Sequence, residues 1–141
     1  MLFRNEYAFL SNMYALKNPI CAKKGDVLVK FYSVENYFQA SKCVNIEDVL
    51  KIASLNPVEA KRYGRRVALR KDWSEIRVKV MYRGLKAKFD KNPELAEKLK
   101  ALKDTYIQED NTWNDYFWGV CRGRGSNTLG KLLMQVRDEL K

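Results

Sequence analysis

The spacing of apolar residues along the 141-residue chain changes several times, and each change predicts an element. In the first thirty residues aromatics are mixed with turn formers. Ser11-Asn12, Asn18-Pro19 and Lys24-Gly25-Asp26 cut this stretch into short extended pieces, of which Val27-Leu28-Val29-Lys30-Phe31 is the clearest strand. From Ser33 the period lengthens to that of a helix running to about Cys43, with Ser33 as candidate N-cap. A second helix is predicted over Ile46 to Ser54. Asn56-Pro57 starts a third, Asn56 capping and Pro57 taking the first turn.

Trp73, Ile76, Val80, Leu85 and Phe89 recur at roughly helical spacing and predict the longest helix, from Asp72 to Asp90. Asn92-Pro93 restarts a shorter one to about Leu102. Thr105-Tyr106-Ile107-Gln108 reads as a strand, followed by an irregular aromatic-rich segment from Asn111 to Gly119. Gly123-Arg124-Gly125-Ser126-Asn127 then feeds an amphipathic helix with Leu129, Leu133, Val136 and Leu140 on one face. Three prolines and seven glycines are few for a β-sandwich, and no repeat or low-complexity linker interrupts the pattern. The reading is one α+β domain, predominantly α-helical, with a few short strands.

Charge and composition narrow the chemistry. Twenty-seven Lys and Arg against seventeen Asp and Glu give a net charge of +10, which favours anionic partners such as nucleic acid, nucleotides or phosphorylated metabolites. Eleven basic side chains against three acids lie between residues 61 and 90, so +8 of that charge is local. This stretch is either a track for phosphates or the solvated outer face of two helices. The chain has no histidine, which removes Ser-His and Cys-His nucleophile pairs, imidazole bases and histidine metal ligands together. Catalysis is left to carboxylates, Lys, Tyr or Cys. Cys21, Cys43 and Cys121 are odd in number and widely spaced, as expected of reduced cytosolic thiols, and no metal site is predicted. The first nine residues form no apolar leader, and no apolar run approaches the ~20 residues of a membrane span, so a soluble cytoplasmic protein with no membrane partner is expected.

Three segments concentrate polar chemistry. Glu35, Gln39 and Lys42 fall at i, i+4 and i+7, along one stripe of the first helix. Facing a cleft, Lys42 would lose solvation and become a usable amine nucleophile, with Glu35 moving protons; facing water, the stripe is an ordinary polar surface. The segment from Glu109 to Gly119 sets three carboxylates among four aromatics, either a stacking site with raised acids or a loop that plugs the core. Cys121 to Asn127 offers glycines, two arginines and a helix start, an anion site in outline or a glycine turn capped by Ser126 or Asn127. It lacks the spacing of a P-loop or a dinucleotide fingerprint.

Taken together, the order of these pieces resembles the NADAR (NAD- and ADP-ribose-associated) or YbiA-like domain family. The resemblance is carried by Phe9-Leu10-Ser11-Asn12-Met13-Tyr14, by the run from Tyr32 to Lys42, by Pro57-Val58-Glu59-Ala60-Lys61 with Gly64-Arg65, and by Arg70-Lys71-Asp72-Trp73. It continues through Met81 to Phe89, Asp115-Tyr116-Phe117-Trp118-Gly119, and Gly125-Ser126-Asn127 to Arg137, so it spans almost the whole chain. It implies a single compact YbiA-like domain over residues 1–141 and an N-glycosidase acting on ribosylated nitrogen bases, with no cofactor. Two substrate classes follow: ADP-ribose linked to guanine in nucleic acid or nucleotides, and a phosphoribosylamino-pyrimidine of the riboflavin pathway.

Carried over by position, the resemblance implies Glu35 as a catalytic carboxylate, Lys42 as an amine attacking the anomeric carbon through a Schiff base, and Asp115 as a further acid. Trp73 and Trp118-Gly119 would line the base or ribose pocket. Arg4, Asn12 and the Gly125-Ser126-Asn127 turn would hold sugar or phosphate. One position departs: the family's Ser-x-Glu-His usually has histidine where this chain has Asn36, which hydrogen-bonds but transfers no proton at neutral pH. Activity must then rest on the carboxylates and Lys42. A basic nucleic-acid or ADP-ribose binding module without catalysis is the competing class. The oligomeric state is not encoded in any feature of the sequence.

Overall fold

The computed structural model describes residues 1–141 and contains six α-helices, a 3₁₀ turn and two two-stranded sheets. The fold class is α+β and mainly helical, as the spacing predicts. Its Cα packing groups the chain into two units, one of Asn12–Asn92 and one of Met1–Ser11 with Pro93–Lys141.

The first of these units opens with an antiparallel hairpin of β1 (Ile20–Lys24) and β2 (Val27–Phe31), in register from Ile20 opposite Phe31 to Lys24 opposite Val27. Alternation puts Ile20, Val29 and Phe31 in the core and leaves Leu28 outside. Helix α1 (Val34–Ser41) begins where the Ser33 hydroxyl accepts the Asn36 amide. Eight residues are too few for a stable isolated helix, so α1 depends on burying Val34, Phe38 and Ala40 against its neighbours. Those neighbours are α2 (Ile46–Ser54), α3 (Pro57–Tyr63) and α4 (Trp73–Lys91). Helix α3 starts with the predicted Asn56 cap, completed into a capping box by Glu59.

Helix α4 buries Val80, Met81, Gly84, Leu85, Lys88 and Phe89. Lys88 is the unexpected member. Its amine lies over the rings of Tyr14 and Phe89, at 5.9 Å and 5.2 Å from their centroids, and burial pushes it down to about 7. A fully buried lysine cannot meet an external phosphate, so it drops out of the basic stretch as a surface feature.

The other unit holds the 3₁₀ turn Asn5–Leu10, α5 (Pro93–Ala101), a parallel pair of two-residue strands β3 (Asp110–Asn111) and β4 (Val120–Cys121), and α6 (Thr128–Glu139). Phe9, Leu95, Leu99, Ile107, Leu133 and Val136 form its core. The predicted strand over Thr105 to Gln108 is absent, because those backbone groups find other partners. The Ile107 amide meets the Met134 sulfur, the Ile107 carbonyl accepts from Asn127, and the Gln108 carbonyl accepts from the N-terminal amine. Residues 5–10, read as extended, coil instead into the 3₁₀ turn. Leu140 follows α6 as its C-cap and is not one of its buried residues.

Candidate active site

The stripe on α1 is an interior feature. Glu35 is 9% exposed and accepts a hydrogen bond from Gln39 Nε2 at 2.8 Å, which fixes both side chains on one face of the helix. Lys42 follows at the C-cap of α1 and is half-buried. Desolvation lowers its amine below the ordinary lysine value, with Arg65 pushing the same way and Glu35 and Cys43 opposing. An amine lowered by burial and still coupled to a carboxylate has chemistry that can serve nucleophilic attack with proton transfer. The adjacent Cys43 thiol is no rival, since burial pushes it up to about 11.

Local folding explains how these groups are held. The Asn12 carbonyl accepts the Glu35 amide at 2.9 Å, satisfying a free N–H in the first turn of α1 and tying Asn12 to the stripe. The Arg70 amide donates to the Lys42 carbonyl at 2.9 Å, so the chain before α4 grips the end of α1. Trp73, at the start of α4, packs on Phe38 with ring centroids 5.0 Å apart. Gly64 ends α3 against the stripe. A Cβ there would lie 1.9 Å from Gln39 Oε1 and 3.1 Å from Lys42 Cε, so only glycine allows this approach.

Two buried acceptors here have no hydrogen-bond partner, Gln39 Oε1 and Asn12 Oδ1; the Asn12 amide nitrogen meets only the Met81 sulfur at 3.5 Å. Unmatched buried acceptors cost ~1–3 kcal/mol each, an expense that a ligand donor would relieve.

In the other unit, the turn region before α6 spends its polar atoms on itself. Asp115 Oδ1 accepts the amides of Phe117 and Trp118 at 3.2 Å and 2.9 Å. Asn111 exchanges bonds with the backbone of Asp115 and donates to Glu109, a carboxylate only 9% exposed. Gly119 lies so close to Glu109 that a Cβ would fall 1.7 Å from its Oε1 and 2.4 Å from its backbone oxygen. Trp118 is half-buried, edge-on to Phe117. Gly125 and Ser126 are exposed, and Asn127 is 2% exposed in the left-handed region at φ 52°. Asn127 makes no side-chain cap. Its Oδ1 accepts the Glu109 amide at 3.0 Å, and its Nδ2 donates to the Ile107 carbonyl and the Tyr106 hydroxyl.

Glu35, Gln39, Lys42, Asn12 and Trp73 thus cluster in one unit. Asp115, Trp118, Gly119, Gly125, Ser126 and Asn127 belong to one turn system in the other, which also contains exposed Arg4. Gly64 and Arg65 entered the sequence reading only as motif residues. The signal for their role is a glycine at a helix end whose backbone is not left-handed, which leaves close approach as its reason to be there. No group of three or more His, Cys, Asp or Glu side chains is assembled as a metal-binding cluster, and no helix is long and apolar enough to cross a membrane.

Residues 2–141 match the NADAR domain family. The chain belongs to that family. The N-glycosidase YbiA of Escherichia coli strain K12 is 38% identical to this NADAR chain over 112 residues, covering 75% of this chain and 68% of YbiA. A maize protein, "Riboflavin biosynthesis protein PYRR, chloroplastic", is 37% identical over 122 residues, and the NADAR chain spans only 19% of its length. The NMR structure of Escherichia coli YbiA superposes with a TM-score of 0.80 at 32% identity, over 99% of this chain and 83% of that one.

Asn36, where the family resemblance leads one to expect histidine, is a structural residue here. Its side chain accepts from the Ser33 hydroxyl and donates to the carbonyls of Ile52 and Leu55 at 2.9 Å and 2.8 Å, joining α1 to the end of α2. All of its donors are engaged, and it is 4% exposed.

Proposed function

We propose that this NADAR chain, a hydrolase of N-glycosyl bonds, acts as one cytoplasmic domain that removes ADP-ribose from guanine in nucleic acid or nucleotides. The observation that carries this reading is the buried Glu35–Gln39 pair beside an amine, Lys42, held below its ordinary pKa. In its neutral form the Lys42 nitrogen attacks the anomeric carbon. The bond to the base breaks, its electron pair stays on the base nitrogen, and a site acid protonates that nitrogen. Opening of the ribose ring oxygen leaves an iminium between Lys42 and the sugar, which water hydrolyses. Glu35 carries these protons in this scheme, supported by its coupling to Lys42, and Asp115 is the further acid that the family resemblance supplies.

The remaining assignments follow the same reading. The family resemblance assigns Trp73 and Trp118-Gly119 to the base or ribose, and Arg4, Asn12 and the Gly125-Ser126 turn to sugar or phosphate. Asn127 serves by holding that turn, since its side chain is committed to Glu109, Ile107 and Tyr106. Basic side chains between residues 61 and 90 steer the polyanionic substrate. The scheme uses no cofactor.

A second substrate, the phosphoribosylamino-pyrimidine of the riboflavin pathway, is favoured by the maize relative, a riboflavin biosynthesis protein by name. Parallel turnover assays separate the two. Release of ADP-ribose from an ADP-ribosylated guanine oligonucleotide, without cleavage of the pyrimidine intermediate, is the expected result. The reverse preference assigns the second substrate, and cleavage of neither overturns both.

A further inference from the structure

A cavity of about 410 Å³ lies on the other side of α1, among the hairpin, α1 and α4. Successive residues of a helix are ~100° apart, so Tyr37, Ala40 and Ser41, which line this cavity, face away from Glu35, Gln39 and Lys42. Its apolar surface comes from Val29, Phe31, Ile76 and Val80. Its polar surface is of one sign: Lys23 and Lys24 from β1, Arg70 from the segment before α4, and Lys79 and Arg83 from α4 itself. No carboxylate lines it.

The sequence explains the convergence. Ile76, Lys79, Val80 and Arg83 fall at i, i+3, i+4 and i+7, so one stripe of α4 presents two apolar and two basic side chains together. Neither Lys23, Lys79 nor Arg83 has an ion-pair partner, Lys24 donates only to the Cys43 carbonyl at 3.1 Å, and Arg70 pairs with Asp72 at 3.0 Å. That pair is about 40% exposed on both sides, so exchanging it for a new anion costs little. Tyr37 and Arg83 line the same cavity wall, and burial raises the Tyr37 phenol above its ordinary value while Ser41 and the Arg83 charge draw it back.

We infer that this cavity is a second binding site for a phosphate-bearing ligand of nucleotide size, with the phosphate on Arg70, Lys79 and Arg83 and the rest of the ligand on the apolar wall. The volume lies within the ~300–1,000 Å³ of small-molecule sites, and five cations without a lining acid provide the charge complement of a di- or triphosphate. The site goes beyond the glycosidase reading and stands apart from it, since none of its lining residues belongs to the Glu35 stripe. The phosphate has two possible sources, a free nucleotide or the end of a nucleic acid strand.

The test titrates the intact protein with inorganic pyrophosphate, with ADP and with a labelled single-stranded 12-mer, reading affinity by calorimetry and location by amide shifts. Lys79→Glu/Arg83→Glu is compared with a control of equal charge change at exposed lysines outside residues 61–90, Lys17→Glu/Lys131→Glu. The expected result is binding whose amide shifts gather at Val29, Ala40 and Ser41, and which weakens at least tenfold in the first variant and less than threefold in the control. Binding of pyrophosphate or ADP assigns a free ligand, and binding of the 12-mer alone assigns a strand end. No binding of any probe, equal weakening in both variants, or shifts gathered at Glu35 and Gly64 instead would overturn the inference. Base release, measured separately, decides the glycosidase reading whichever way this comes out.

Discussion

The α1 stripe and the turn before α6 are built from the same kinds of residue, carboxylates and side-chain amides close in sequence, and they use them in opposite ways. In the turn region, Asn111 and Asp115 are committed to nearby backbone groups and Asn127 to the backbone of Ile107 and Glu109. On the stripe, Glu35 is gripped by Gln39, but Gln39 Oε1 and Asn12 Oδ1 are buried with nothing to accept from, and Lys42 is held where its charge is disfavoured. Satisfied polar networks confer rigidity, whereas polar groups buried without full satisfaction store free energy that a ligand can release. On the proposed reading, the stripe supplies the reactive amine and its proton carrier, and the turn supplies a pre-shaped wall with Asp115 held in place by backbone amides.

The sharpest way to break this division is to remove the two reactive groups. Glu35→Gln and Lys42→Ala are each expected to lower base release by on the order of 10³-fold or more with the fold intact by circular dichroism. Wild-type turnover in either variant would end the claim. The pH profile carries the sign: the amine must be neutral to attack, so the rate rises with pH along a limb centred below the ordinary 10.5 of lysine. Because Glu35 is the stronger of the two groups that oppose desolvation, ahead of Cys43, the Lys42 amine in Glu35→Gln should titrate lower still, a shift that NMR reads directly even without turnover.

Lys88 tests whether a lowered amine is enough to mark a reactive site. Its pKa falls from 10.5 unfolded to about 7 folded, so between those values the unfolded chain binds the extra proton and stability rises with pH. Below about 7 the protonated amine stays buried and the full cost is present. Lys88→Met should remove this slope, so that it raises stability more at pH 6 than at pH 10. Urea unfolding at pH 6, 8 and 10 measures it; a flat wild-type profile would show the amine to be compensated in place.

The two asparagines sharpen the contrast at smaller scale. Asn127→Ala strands the Glu109 amide and the Ile107 carbonyl and puts alanine at φ 52°, for a loss of about 2–4 kcal/mol. Asn12→Ala removes an acceptor that has no partner, and its cost should stay under ~1 kcal/mol. Comparable losses in thermal and urea unfolding would erase the distinction between the regions.

These differences were only partly legible in the sequence. Helix starts were plain, because Ser33 and Asn56 cap through local bonds that spacing alone reveals. The Glu35–Gln39–Lys42 stripe was legible as geometry, but its burial was not, since periodicity gives a face without saying what covers it. Ile107 has strand propensity, yet its backbone bonds to Met134 and Asn127, partners twenty or more residues away that no local pattern encodes. Lys88 was hidden for the same reason: in a run of eleven basic residues, nothing local distinguishes the one that points inward.

The finest test is at Gly64, where stripe geometry depends on a missing methyl group. In Gly64→Ala the new Cβ would meet Gln39 Oε1 at 1.9 Å and Gln39 Cδ at 2.8 Å, so the amide must swing and its bond to Glu35 is strained or lost. Lys42 Cε, at 3.1 Å, shifts by a few tenths of an ångström. The expected result is roughly a tenfold drop in kcat, about 1.4 kcal/mol, with little change in unfolding midpoint, because the displaced atoms are the far ends of side chains. A double-mutant cycle isolates the cause. If Gln39 transmits the clash, Gly64→Ala should cost almost nothing in a Gln39→Ala background, since the atoms it strikes are gone. Additive losses would place the effect on Lys42 alone, and the Gln39–Glu35 contact would then be a packing detail and not part of what keeps the stripe reactive.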